Sequence, residues 1–390
     1  MKEFDEVIQR KYTHSLKYDG IEGRFGISGE NLLPLWVADM DFKTPEVIRD
    51  ALMKYIKNGA LGYSGGYDDA YESLINWFKR RHGLGLEKSW IEFSGTVVSS
   101  LARIIKTFTN EGDKILLQPP VFSNFYDLIK RNNRIIVENP LILKDGEYTM
   151  DFEHLKSVID SDVKMIILCN PHNPVGRSWT HEELKCLSDI MVKNNILIVS
   201  DDVHCELVHD GYKHNFILNC GEEAKANSIT CVASHKTFNM AGLEISNVII
   251  PNKDIMAKYK VAIHSEGINK PNLLGLIALK AGLDKGEPWL REVMEYIQDN
   301  FKFLEEYLKK YLPESKVIKA QATFLAWVDL NAVGLESKEI EDLLVNKGQL
   351  LVNQGYTFGI GGEGFIRLNL ACPRSILEEA LERLVKSFEN

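Results

Sequence analysis

Through the middle of the chain, short apolar runs alternate with longer amphipathic ones. The runs Trp90–Phe93, Ile115–Leu117, Ile135–Val137, Lys164–Cys169, Ile196–Ser200, Ile229–Ala233 and Val248–Ile250 read as strands. Between several of them lie helix patterns. Val97, Leu101, Ile104, Ile105 and Phe108 keep helical spacing, and Thr180 followed three residues later by Glu183 forms a capping-box signal for a helix to about Asn194. Strand–helix–strand alternation at this spacing predicts an α/β fold: a mostly parallel central sheet with helices on both faces.

The last hundred residues have a different rhythm. A long charged helix pattern covers about Trp289–Tyr311. Strand candidates follow at Thr323–Leu330 and Phe365–Leu370, with one helix between them and another at the end. This predicts a large domain over 46–285 and a smaller α+β domain made of 286–390 with the N-terminal segment 1–45. No internal repeat or low-complexity linker interrupts the chain.

Composition narrows the function classes. Of 390 residues, 45% are hydrophobic and 26% charged, as in ordinary globular protein, and the formal net charge is −9. An acidic balance argues against nucleic-acid partners and against an anionic membrane surface, but not against one local anion pocket. No apolar run approaches the ~20 residues of a membrane helix, and no signal peptide is visible. The six cysteines form no CxxC pair, and several sit in apolar runs. A reducing, cytoplasmic setting fits best.

In open α/β sheets, ligands bind outside the carboxyl ends of the strands. Four of the candidate strands deliver chemistry there. Trp90–Phe93 leads to Ser94-Gly95-Thr96-Val97, which opens a helix and offers N–H groups and a hydroxyl to phosphate. Lys164–Cys169 leads to Asn173, Ile196–Ser200 to Asp201 and Asp202, and Ile229–Ala233 to Ser234 and Lys236. Taken singly, each has a plainer account: a helix cap, an Asx turn before Pro174, a loop acid, a solvated lysine. Together they suit a phosphorylated, basic heteroaromatic aldehyde. Lys236 would form an imine with it, a carboxylate would keep the ring nitrogen protonated, and Asn173 would donate to the ring phenolate. Either Asp201 or Asp202 could be that carboxylate, but only one should face the site.

Two patterns point elsewhere and are set aside. Gly359-Ile360-Gly361-Gly362-Glu363-Gly364 fits GxGxxG but precedes a strand, so no dinucleotide site is expected. His204, Cys205, His209 and His214 match no zinc spacing and read as a solvated loop, so no metal is expected. His82 and His181 read as surface helix residues.

At this point long strings resemble a known family. Leu33 to Phe42 (LPLWVADMDF), Asn170 to Trp179 (NPHNPVGRSW), Lys236 to Leu243 (KTFNMAGL) and Phe365 to Arg374 (FIRLNLACPR) resemble fold-type I pyridoxal-phosphate (PLP) enzymes of the aminotransferase class I/II superfamily. Within it, the resemblance is to the MalY/PatB-type cystathionine β-lyases. It implies pyridoxal 5'-phosphate as cofactor and Lys236 as the Schiff-base lysine. Asp201 would face the pyridine nitrogen and Asn173 the phenolic oxygen, with His204 where many aminotransferases carry tyrosine. Gly95, Thr96 and Val97 would cradle the phosphate, with Ser234 as a weaker helper. Tyr63 would cross to the phosphate of a partner subunit, which implies a homodimer with shared sites. Arg367 would hold the carboxylate of an amino-acid substrate, on a strand face shared with Asn369, and Trp36, Val37 and Ala38 would line the substrate pocket. One position departs from the pattern: the residue stacked on the ring is typically tyrosine, and here it is Phe122. The implied reaction is α,β-elimination from cystathionine or a related sulfur amino acid. Aminotransfer, or PLP binding with little turnover, would use many of the same residues.

Overall fold

The computed structural model describes residues 3–267 and 271–389. All seven candidate strands of the middle region join one sheet. Its order is Ile91–Ser94, Ser246–Ile249, Ser228–Val232, Leu197–Asp201, Val163–Cys169, Lys114–Leu117 and Ile135–Glu138. Ser246–Ile249 runs antiparallel to both neighbours, and the remaining pairs are parallel. The sequence pattern places this antiparallel strand at Val248–Ile250, but it begins earlier, at Ser246. Ser246 and Asn247 are polar yet buried, and that hides the strand's start from a hydrophobic pattern.

Side chains alternate across a strand, so the sheet has two apolar faces. Met165, Ile167 and Cys169 pack with Leu101, Ile104 and Ile105 of the helix Val97–Phe108 and with Tyr259 of Lys253–Ser265. Ile166 and Leu168 face the other way, onto Leu184, Leu187 and Met191 of the helix His181–Lys193. That helix opens with the expected Thr180/Glu183 capping box. The result is the predicted α/β architecture, with helices over both faces of a mostly parallel sheet.

A second, four-stranded sheet follows, with the order Lys316–Val317, Leu325–Asp329, Phe365–Asn369, Asn353–Gln354, all antiparallel. The long helix Glu287–Tyr311 and the last helix Arg374–Phe388 share its core. Leu33–Pro34 pairs in parallel with Leu350–Leu351, so the N-terminal segment is stitched to the C-terminal part of the chain. Among the described residues, no helix is long and apolar enough to cross a membrane. All six cysteines are free thiols.

The N-terminal segment is also held by charge. Lys17, fully buried, reaches Asp41 at 2.9 Å and Asp39 at 3.0 Å, and Arg10 bridges the same two carboxylates at 2.5 Å each. Asn239 adds a second clamp: its amide accepts from Met40 N at 3.0 Å and donates to the carbonyls of Met40 and Phe42. The stretch Trp36–Phe42 is thereby fixed as a strap beside the helical turn that carries Lys236.

Candidate active site

Sheet register brings the four chemistry-bearing strand ends to one edge. Asp201 pairs with Cys169 on one side and Cys231 on the other, Asn247 pairs with Val232, and Ser246 pairs with Ser94. Asn173, Asp201, Lys236 and the Gly95–Val97 turn therefore leave the sheet along the same rim. A cavity of about 790 Å³ opens at this rim. Nine of the expected residues line it: Trp36, Val37, Ala38, Phe122, Asn173, Asp201, His204, Lys236 and Arg367.

Lys236 lies on a single helical turn, Ser234–Thr237, directly after its strand. Its ammonium donates to the Ala38 carbonyl of the strap. Burial pushes its pKa down to about 8. Arg367 and Lys17 push the same way, against the pull of Asp39 and Asp201. A lysine tuned this way is partly neutral near physiological pH and can act as nucleophile and base.

The choice between the two neighbouring acids is clear from their partners. Asp202 is fully buried away from the cavity, where its Oδ1 accepts from Asn170 at 3.0 Å and lies 2.8 Å from His214 Nε2. Asp201 faces the cavity. It accepts one backbone N–H, from Val203 at 3.2 Å, and burial pushes its carboxyl up to about 7, with Asp202 adding to the rise. A carboxyl so short of donors is ready for a cationic partner.

Arg367 sits in an interior strand of the second sheet and is 4% exposed. Its guanidinium donates to Asn173 Oδ1 at 3.0 Å, to the Trp36 carbonyl at 3.1 Å and to Asn353 Oδ1 at 2.7 Å, and it lies over the Phe358 ring at 5.0 Å. Among the described residues it has no carboxylate partner, and burial lowers its pKa to about 9. Buried charges are normally paired, so this fork is arranged for an anion that the protein does not itself provide. Asn369, on the same strand face, holds the strap through the carbonyls of Val37 at 2.7 Å and Asp39 at 2.5 Å.

His204 is buried, its Nδ1 has no hydrogen-bond partner, and burial beside Lys236 and Arg367 drives its pKa well below the usual histidine range. It is a neutral imidazole. Phe122 meets Phe125 edge-on, with centroids 5.5 Å apart. The remaining expected residues stand outside the cavity wall. Thr96 is the N-cap of Val97–Phe108 and accepts from Ser99 N at 3.1 Å; Gly95 and Val97 flank it, and Ser234 opens the next helix along the rim. Tyr63 is fully exposed.

The structure corrects the reading of the histidine group. His204, Cys205, His209 and His214 do not form a solvated loop, because all four are buried. His214 backs Asp202, and His209 Nε2 lies 2.7 Å from the Thr323 carbonyl, so local polar partners replace water. His82 is not a free surface residue either. It is 2.8 Å from Glu206, whose two oxygens also serve Trp77 at 2.6 Å and Arg81 at 2.7 Å. His181 is exposed, as expected.

The sequence reading missed the wall opposite the rim: Tyr126, Asn353, Tyr356, Phe358 and Gly359. The rejected GxGxxG run contributes Gly359. Its φ is +90°, and a Cβ there would fall 2.0 Å from the Tyr126 hydroxyl, so glycine lets the backbone lie against that wall.

Comparison with known proteins agrees with this fold. The family model for aminotransferase class I and II matches residues 30–384. The chain is 38% identical over 382 residues to cystathionine beta-lyase PatB of Bacillus subtilis, covering 98% of each. It superposes on cystalysin from Treponema denticola, a structure containing a pyridoxal 5'-phosphate cofactor, with a TM-score of 0.95 at 34% identity and 98% of each chain covered. The PLP-bound C-S lyase from Staphylococcus hominis gives a TM-score of 0.92 at 31% identity, covering 99% of this chain and 98% of that one. The chain therefore belongs to the aminotransferase class I and II family.

Proposed function

We propose that this protein is a pyridoxal-phosphate-dependent carbon–sulfur lyase. It removes a thiol from the β-carbon of an S-substituted cysteine such as cystathionine and leaves pyruvate and ammonia. The observation that carries the cofactor and amino-acid site is the buried Arg367, without a carboxylate partner among the described residues, in one cavity with a lysine pushed down to about 8 and a carboxyl pushed up to about 7. An anion, an electrophilic carbon and a cationic ring nitrogen would satisfy all three. The lyase outcome, which aminotransfer would not share, is supported by the likeness to cystathionine beta-lyase PatB and to the C-S lyase from Staphylococcus hominis.

The donor set fits the cofactor. Asp201 lacks a strong donor and would face the pyridine nitrogen. Asn173 commits its Oδ1 to Arg367, so its NH₂ end is available to a phenolic oxygen. His204 Nδ1 is unpartnered. Phe122 offers a ring face for stacking. Gly95, Thr96 and Val97, with Ser234, would hold the phosphate at helix N-termini. When bound, the cofactor supplies a protonated pyridine ring that withdraws the electron pair left on the substrate's α-carbon.

The chain's own residues then do the following. Lys236 would anchor the cofactor and, as a neutral amine, would take the α-proton of the substrate. Asp201 would keep the ring nitrogen protonated. Arg367 grips the substrate α-carboxylate as a planar fork. The Trp36–Ala38 strap, pinned by Asn369 and by Trp36 Nε1 donating to the Lys17 carbonyl at 3.1 Å, limits the space around the reacting carbon. The exposed Tyr63 would reach the phosphate of a second subunit, making the working form a homodimer. A division into a large domain over 46–285 and a small one from 1–45 plus 286–390 would put Arg367 and Lys236 on different domains. Six free cysteines favour the cytoplasm.

The test uses the PLP-loaded protein. It is incubated with L-cystathionine and, separately, with amino acids plus 2-oxoglutarate, and free thiol, pyruvate and glutamate are measured. Thiol and pyruvate without glutamate support the lyase. Glutamate without thiol would replace it with an aminotransferase.

A further inference from the structure

The mouth of the same cavity carries two cations with no carboxylate partner among the described residues. Arg24 lies on the short helix Ile21–Phe25, whose Phe25 ring packs edge-on against Trp36 of the strap at 5.5 Å. Lys130 faces the cavity from the helix Asn124–Arg131, its ammonium 5.9 Å from the Tyr126 ring centre. That helix starts just beyond Phe122. Asn124, Asp127 and Lys130 recur at three-residue spacing and line the cavity, so they share one face running outward. At ~1.5 Å per residue, Lys130 stands roughly 9 Å further along that face than Asn124. The cavity of about 790 Å³ has to hold the cofactor as well as the substrate, and its size is in the range that accepts extended ligands.

We propose that Arg24 and Lys130 form a second anion subsite, which reads a carboxylate at the far end of the substrate's sulfur substituent. The enzyme then selects thioethers whose substituent ends in a carboxylate over S-alkyl cysteines of similar length. Among the described residues Asp127 is held only by Arg131 at 3.9 Å, with both side chains exposed, so it can take an ammonium on the same substituent. That combination matches an amino-acid end group. The inference rests on the lyase reading and extends it from the reacting end of the substrate to its tail.

The experiment measures kcat/KM of the PLP-loaded enzyme for L-cystathionine and for S-propyl-L-cysteine, which keeps the thioether but lacks both the distal carboxylate and the distal ammonium. Arg24→Gln, Lys130→Gln and the double variant are compared with wild type. The ratio of the two kcat/KM values should favour cystathionine in wild type and fall roughly tenfold in the double variant, mainly through KM. Arg24→Lys should keep most of the ratio, and added salt should erode it in wild type. An unchanged ratio in the double variant, with both substrates turned over, overturns the subsite and leaves the lyase standing. Release of thiol from neither substrate by wild type overturns the lyase reading and the subsite with it.

Discussion

Arg367 and Asn173 meet at 3.0 Å, guanidinium to side-chain carbonyl, across the gap between the two sheets. One contact therefore orients two groups with different jobs. In the proposed reading, Arg367 would grip the substrate carboxylate, and Asn173, whose Oδ1 is taken, would offer only its NH₂ end to the cofactor. Replacing Arg367 by lysine keeps the charge and loses the fork. The expected result is a KM for L-cystathionine raised roughly tenfold or more, with kcat reduced less. A KM equal to wild type would remove Arg367 from substrate binding.

Asp201 carries a pH signature. Its carboxyl is pushed up to about 7 in the folded protein without cofactor, so between the ordinary value near 4 and about 7 the folded state holds a proton that the unfolded state does not. Stability from this group is therefore full below about pH 4 and is lost as pH rises toward 7. Asp201→Asn apoprotein should show a flatter thermal-midpoint profile across that window. The loaded Asp201→Asn enzyme should lose roughly a hundredfold or more in kcat, because the ring nitrogen loses its counter-charge. Wild-type turnover in this variant would reassign the role.

Phe122 gives a stacking face without a hydroxyl. Phe122→Ala should weaken cofactor retention by up to roughly tenfold in equilibrium dialysis, the scale of one aromatic stacking contact. Phe122→Tyr should retain the cofactor as wild type does. Equal retention by the alanine variant would mean that the ring lies elsewhere.

The strap depends on a buried ion cluster. Lys17→Met leaves Asp39 and Asp41 sharing Arg10 alone, in a site that Lys17 fills without exposure. Removing one partner of such a buried cluster costs roughly 3 kcal/mol or more. The thermal midpoint should fall, and Asp41→Asn added to Lys17→Met should recover part of the loss. A midpoint equal to wild type would show that the cluster does not hold the strap.

Much of this site was legible in the chain, for a physical reason. Parallel strands buried on both faces read as short apolar runs, and the residues just after them must sit at one sheet edge, so Asn173, Asp201 and Lys236 could be grouped before any coordinates. What escaped depended on direction. Patterning alone leaves Asp201 and Asp202 open, the resemblance points to Asp201, and in the structure His214 and Asn170 hold Asp202 away from the cavity. The stretch from His204 to His214 reads as solvated because buried histidines, whether held by polar groups as His209 is or facing the cavity as His204 does, have the same sequence as exposed ones. The far wall, from Asn353 to Gly359, comes from a segment far along the chain, and GxGxxG drew attention to the wrong property of Gly359. Ser246 and Asn247 escaped as strand residues because they are polar and yet buried.

The central claim is that Lys236 binds the cofactor covalently. Borohydride reduction of the PLP-loaded protein, followed by proteolysis and mass spectrometry, fixes the pyridoxyl group on whichever lysine held it. A single modified peptide containing Lys236, absent from Lys236→Ala, is the predicted result. A pyridoxyl group on any other lysine, or an unchanged visible absorbance band in Lys236→Ala, would contradict it.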